Sequence, residues 1–225
     1  MKLAEVFPWG RSLSDYEAMF ALTSDDLNKR ILGCSDGPAS FNAQLSSEGG
    51  SVLSVDPIYQ FSKEQINARI DEAFPQIIQQ LTTNQHSYVW NQHGNIESLS
   101  RDRMDSMRLF LEDYEPGRLV GRYCPGSLPD LPFMPKQFEL ALCSHFLFLY
   151  SELIDLEQHI LAMQELCRVA EEVRVYPLLS LDCSVSNHLH PTISQLAQAG
   201  IEVDILPVGY EFQKGATQML VARAE

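Results

Sequence analysis

Two short stretches of this chain carry residue types that can do chemistry at a useful spacing. The first is "ILGCSDGPASFN", positions 31 to 42, where an apolar run passes into Gly33, Cys34, Ser35, Asp36 and Gly37 and then into Pro38, Ala39 and Ser40. Glycines after a strand let backbone approach a ligand, and a Pro-Ala-Ser start to the next helix offers exposed backbone N–H groups. The second stretch is "SVLSVD", which ends in Asp56. A carboxylate about 20 positions beyond a glycine turn can accept hydrogen bonds from ribose hydroxyls. The pair points to a ligand with a nucleoside half, seated where two strands end.

The elements needed to hold these residues follow from the hydrophobic pattern. Strands are expected over 30–34, 51–56, 138–145, 172–179, 201–208 and 217–224, with helices over 39–47, 153–170 and 191–200. Short strands alternating with helices give parallel βαβ units and a three-layer α/β domain. The last two strands are joined too tightly for a crossover helix, so they are expected to be antiparallel neighbours. Residues 61–116 break the rhythm. "SKEQ" at 62–65 reads as a capping box, and Ile66, Ile70, Phe74, Ile77, Ile78 and Leu81 recur at helical spacing. Pro75 lies within that pattern and is expected to kink or split the helix. A second amphipathic segment carries Met104, Met107, Phe110 and Leu111, and the stretch 86–98 between the two reads as a surface loop. Two helices in succession form an insertion or lid over the strand ends, or an enlarged helical layer that only packs.

Composition narrows the function. With 225 residues, 45% of them apolar, the chain can bury a full core as a single domain. Thirty acidic residues against 16 Lys and Arg give a formal net charge of -14, and no basic run follows a phosphate backbone. Nucleic acid is therefore a poor partner and a small molecule a better one. Five scattered cysteines read as reduced thiols, no signal pattern opens the chain and no apolar stretch reaches membrane-spanning length. A soluble, cytoplasmic protein is expected. His188 and His190 near Cys183 lack the spacing of a metal site, and Cys143 has no histidine and acid set around it as a nucleophile would. The G-x-G-x-x-G spacing is absent, since position 35 is Ser and position 38 is Pro, and no G-K-S or G-K-T follows the turn. Two cofactors remain open on the residues alone, a nicotinamide dinucleotide and S-adenosylmethionine.

"LGCSDGPASF", "SVLSVD" and "GSLPDLPFMPKQFELALCSHFLFLY" (126 to 150) together resemble the class I S-adenosylmethionine-dependent methyltransferases. The whole chain is also similar to a bacterial group of methyltransferase-like proteins. The resemblance covers roughly 30–60 and 120–225. It implies a Rossmann-like, mostly parallel seven-stranded sheet with an antiparallel last strand, preceded by an arm and helix over 1–29. Gly33-Cys34 and Gly37-Pro38-Ala39-Ser40-Phe41 match the two halves of the family's first motif, "DLGCGPGSF", with Ser35-Asp36 inserted. Ile31-Leu32 occupy the place of the acid that usually precedes the first glycine, and Asp36 is the carboxylate left to serve the methionine amine. Asp56 aligns with the ribose-binding acid, and Pro57-Ile58 with residues flanking adenine. Ser127-Leu128 fall where the family has an acid and a small apolar residue near the adenine ring. Cys143-Ser144-His145 match the end of the fourth strand, beside the methionine part.

The resemblance implies methyl transfer, which needs positioning more than a triad or a metal. An oxygen or nitrogen acceptor still needs a proton acceptor within hydrogen-bond reach, and His145 is the candidate base. Trp9, Arg11 and Tyr16 in the arm, with Tyr59, are candidate substrate contacts, an arginine and aromatics being suited to an anionic group. A cofactor-binding or interaction module without chemistry, and a nicotinamide-dependent reductase resting on Asp56, are the alternatives.

Overall fold

In a computed structural model that describes residues 8–224, the chain forms one seven-stranded sheet in the order β3-β2-β1-β4-β5-β7-β6. The strands are β1 Arg30–Cys34, β2 Ser51–Val55, β3 Tyr123–Cys124, β4 Phe138–Ser144, β5 Ala170–Tyr176, β6 Ile201–Pro207 and β7 Gln218–Ala224. β1 pairs in parallel with β2 and with β4, so the strand order reverses at β1. β7 runs antiparallel to both β5 and β6. It is the last strand, as expected, yet it sits inside the sheet and leaves β6 at the edge.

The central strands are buried on both faces, and their alternation divides the core in two. Leu32, Cys34, Ala141, Cys143, Val173, Val175, Leu220 and Ala222 face helices α6 (Leu156–Val169) and α7 (Leu189–Gln198). Ile31, Leu140, Leu142, Tyr176, Met219 and Val221 face the opposite way, toward α1 (Leu13–Phe20) and α3 (Phe41–Ser47). A short α2 (Ser24–Leu27) joins α1 to β1.

The two helices within 61–116 do different work. α4 (Lys63–Thr83) opens with the expected capping box, Ser62 Oγ accepting from Gln65 N while the Gln65 side chain accepts from Ser62 N. Pro75 lies inside α4 without splitting it. Both Pro75 and Asp71, whose carbonyl loses its helical donor, are exposed, so solvent can reach the turn that lacks the bond. α5 (Ile96–Leu119) begins within the stretch read as a loop, capped by Asn95, and forms the crossover between β2 and β3. Strand β3 had no signal in the sequence because two residues are too few to show a period. A third core cluster joins the two helices, with Ile66 and Ile70 of α4 packed among Phe110 and Tyr114 of α5 and the buried Tyr59 and Tyr123.

The arm is fixed by buried ion pairs. Arg103 of α5, 1% exposed, donates to Asp15 Oδ2 at 2.5 Å and to Tyr210 Oη at 3.1 Å. Arg174 of β5 donates to the Phe20 carbonyl at 2.9 Å and to both carboxylate oxygens of Asp26 at 3.1 Å. Removing one partner of such a pair strands the other charge in the interior, at a cost of about 3 to 5 kcal/mol. Arg103→Met is therefore expected to lower stability by about 3 kcal/mol, measured by urea unfolding, and to open the α1 segment to protease.

Candidate functional site

Every loop that leaves the carboxyl end of a parallel strand opens on one cavity of about 650 Å³. This is where ligands bind in open parallel sheets, beside the point where strand order reverses. Trp9, Arg11, Ser35, Asp36, Gly37, Asp56, Pro57, Ile58, Ser127, Leu128, Ser144 and His145 line it, so twelve residues singled out in the sequence meet in one place.

Asp36 and Gly33 explain each other. Ser35 (φ 58°) and Gly37 (φ 56°) both adopt left-handed backbone, which turns the Asp36 side chain back over the end of β1. A Cβ at Gly33 would collide with the Asp36 carboxylate, so only glycine leaves room for it. Tyr16 Oη donates to Asp36 Oδ1 at 2.7 Å and Ser54 Oγ to Oδ2 at 2.6 Å. Burial, offset in part by these two hydroxyls, raises the Asp36 pKa to about 7.

Asp56 caps the loop after β2. Its Oδ1 accepts from Ile58 N and its Oδ2 from Gly37 N, each at 2.9 Å, tying the loops after β1 and β2 together. Burial raises its pKa to about 6 against the pull of those two amides. Each carboxylate oxygen retains acceptor capacity beyond one bond, so both acids can still receive a ligand's donors. A Cβ on Gly37 would meet no atom within 4 Å and would stand in open space. With Pro57, Ile58 and Leu128 as an apolar wall in the same cavity as Asp56, the carboxylate acceptors and this wall suit a ribose and a flat heterocycle.

Of the backbone N–H groups expected at the start of α3, that of Ser40 is already engaged. Ser40 N donates to the Arg11 carbonyl at 3.0 Å and Gly37 N to Asp56 Oδ2 at 2.9 Å, so these two amides serve the loop itself. Tyr16 and Tyr59 do not line the cavity. Tyr16 stacks on Phe41 with ring centroids 4.2 Å apart, and Tyr59 is fully buried with its hydroxyl on the Gly37 carbonyl at 2.8 Å. They hold the loop from behind rather than touch a substrate. Phe41, Cys34 and Cys143 are likewise core residues, the two cysteines paired across β1 and β4.

His145 follows β4 with left-handed backbone (φ 52°), its amide bonded to the Tyr176 carbonyl at 2.7 Å and its Nδ1 3.0 Å from Ser144 Oγ. Burial, and then the positive charges of Arg11 and Arg103, hold its pKa well below the usual histidine range, so the ring is neutral at pH 7. The sequence offered no local signal for the far wall. Ile77 and Leu81 of α4, Leu149, Leu181, Tyr88 and Phe212 converge there from separate elements. Ile77 and Leu81 were marked only by their helical spacing and Tyr88 only by a stretch read as a surface loop, and the bridge of Tyr88 to Gln213 joins segments far apart in the chain.

The strand order, with an antiparallel β7 between β5 and β6, defines the class I methyltransferase fold, a Rossmann-like α/β sheet. No known family profile matches the chain. An uncharacterized protein of Methanocaldococcus jannaschii is 29% identical over 224 residues, covering 99% of this chain and 98% of that one. That relative is archaeal, whereas a bacterial group was expected. Among solved structures, a protein of Pyrococcus horikoshii matches with a TM-score of 0.50 and 12% identity, covering 94% of this chain and 90% of its own. A putative S-adenosyl-L-methionine-dependent methyltransferase of Methanococcus maripaludis matches with a TM-score of 0.48 and 8% identity, covering 95% and 84%.

The Gly33–Asp36 contact is testable by a double-mutant cycle. Gly33→Ala is expected to cost about 1 to 3 kcal/mol by overpacking, and clearly less in an Asp36→Ala background, as read by chemical unfolding. The raised pKa of Asp36 also sets a sign. Its unfolded form ionises near 3.8 and its folded form near 7, so stability is fully present below the former and falls as pH rises through the latter. Asp36→Asn is expected to flatten the fall in melting temperature between pH 5 and pH 8.

Proposed function

We propose that this protein is an S-adenosylmethionine-dependent methyltransferase acting on a small-molecule acceptor. The observation that carries the reading is the placement of Asp56, at the carboxyl end of β2, bonded to Gly37 of the neighbouring loop and open to the cavity at the switch point. Asp56 would take the ribose, Pro57, Ile58 and Leu128 the adenine, and Asp36 the methionine ammonium. When bound, the cofactor supplies a methyl group on a sulfonium, electrophilic enough that catalysis rests mainly on holding the acceptor in line. His145, neutral and beside Ser144, would take the acceptor's proton; its Nε2 carries no hydrogen bond among the described residues. Apolar walls around that end would keep water from the reaction.

Calorimetry with S-adenosylhomocysteine tests the reading. Micromolar binding is expected, lost in an Asp56→Ala variant whose fold is verified by its melting curve, with no binding of NADH. Ser127→Asp, which supplies an acceptor for the adenine amino group, is expected to tighten binding several-fold. At pH 6.5 the ligand's ammonium would drive Asp36 to ionise, so binding should release part of a proton. Heats measured in two buffers of different ionisation enthalpy would then differ, and would agree in Asp36→Asn. A folded protein that binds NADH but not S-adenosylhomocysteine would overturn the reading.

A further inference from the structure

The acceptor half of the cavity has a charge pattern opposite to that of the protein around it. The chain carries 30 acidic residues, yet Asp36 and Asp56 are the only acids among the lining residues, and both lie toward the nucleoside end with their oxygens already bonded. The walls near His145 are Phe146, Leu149, Leu181, Phe212 and Tyr88. Arg69, which also lines the cavity, is paired with Glu72 at 2.8 Å. Arg11 is different.

The Arg11 Nη1 donates to the Trp9 carbonyl at 3.1 Å, and its Nε is buried with no acceptor. No carboxylate lies within ion-pair distance of it among the described residues. The nearby acid that could have served, Asp15, is taken by Arg103. Arg11 as a whole is half-buried, but a guanidinium whose Nε is cut off from water without an acceptor, and which has no counter-charge, costs free energy that a paired one does not. The fold keeps it there regardless, and the tight packing of Gly10 against the Pro38 carbonyl and Met107 fixes the segment that presents it. Arg11 lines the same cavity as His145 and enters it from the arm, apart from the loops after β1 and β2 that carry the two acids.

We infer that the acceptor is an apolar, aromatic-sized carboxylate whose anionic group pairs with Arg11 while its body lies against Phe146, Leu149 and Phe212, and that cationic amines are rejected. This rests on the methyltransferase reading. A carboxylate matches the planar fork of a guanidinium and supplies the charge the site lacks. An amine would face Arg11 with no acid to receive it, a penalty that selects against it without any steric clash. The anion also places the acceptor's reactive end at a fixed distance from its anchor, which a purely apolar pocket would not do.

The probes are para-hydroxyphenylacetate, its neutral amide and tyramine, titrated calorimetrically into protein saturated with S-adenosylhomocysteine. The acid is expected to bind at least about tenfold more tightly than the amide, and tyramine not at all. Arg11→Gln should remove the preference for the acid while leaving S-adenosylhomocysteine affinity within about threefold, and Arg11→Lys should keep part of the preference. Equal binding of acid and amide, tighter binding of tyramine, or no binding of the acid at millimolar concentration would each overturn the inference. So would an Arg11→Gln variant that loses S-adenosylhomocysteine instead, since the guanidinium would then belong to the cofactor's own carboxylate. If S-adenosylhomocysteine fails to bind wild-type protein, the methyltransferase reading falls separately. The acid-over-amide comparison on the unliganded protein and on Arg11→Gln then decides the anion site by itself.

Discussion

The buried carboxylate of Asp36 is the constraint around which the site is arranged. It sits over the end of β1, where glycine alone leaves room, and draws hydroxyls from α1 and β2. One side chain thereby fixes three elements that are remote in sequence, and the price is a carboxyl group half neutralised near pH 7. Removing it would leave two buried hydroxyls facing each other across a void. Keeping it sets the shape of the loop from Ser35 to Gly37, and through Gly37 the position of Asp56.

A second layer of support lies behind the loop and never meets the cavity. Tyr59 holds the Gly37 carbonyl, Tyr114 holds the Tyr59 and Phe61 carbonyls at 2.9 Å, and Tyr16 stacks on Phe41. Buried tyrosines suit this work because each fills core volume with its ring and satisfies one backbone group with its hydroxyl. The loops that would grip a ligand are thus rigid from the rear, while their front faces keep unspent acceptor capacity.

The end of the cavity formed by the loops after β1 and β2 was legible in the sequence because its residues lie within a turn of two strand ends. Gly33, Asp36, Gly37 and Asp56 are separated by fewer residues than a βαβ unit, and their types fit the geometry they adopt. The antiparallel end of the sheet was legible for the same local reason, a connection too short to cross over. What stayed hidden depends on long-range assembly. Phe212, Leu181 and Ile77 reach the cavity only because two loops and a helix converge above the sheet, and nothing in their own neighbourhoods marks them as cavity residues. Tyr16 and Tyr59 looked like contacts for a ligand because polar aromatics suit that role. Their full burial shows the hydroxyls serving backbone and Asp36 instead. Pro75 was expected to kink or split its helix; α4 runs through it unsplit, at a turn where both Pro75 and Asp71 are exposed.

The anchoring of the arm bears on how the chain assembles as it is made. Asp15 finds Arg103 88 residues later, and Phe20 finds Arg174 154 residues later. The arm is therefore matched only once β5, and Tyr210 beyond it, are in place. Until then Asp15 and Asp26 stay in water, and the cavity lacks the wall that Trp9 and Arg11 provide. Long-range closure of this kind slows folding, since chain entropy is lost before the contacts that repay it can form. The wall that Trp9 and Arg11 give the cavity accordingly rests on contacts that close only across most of the chain.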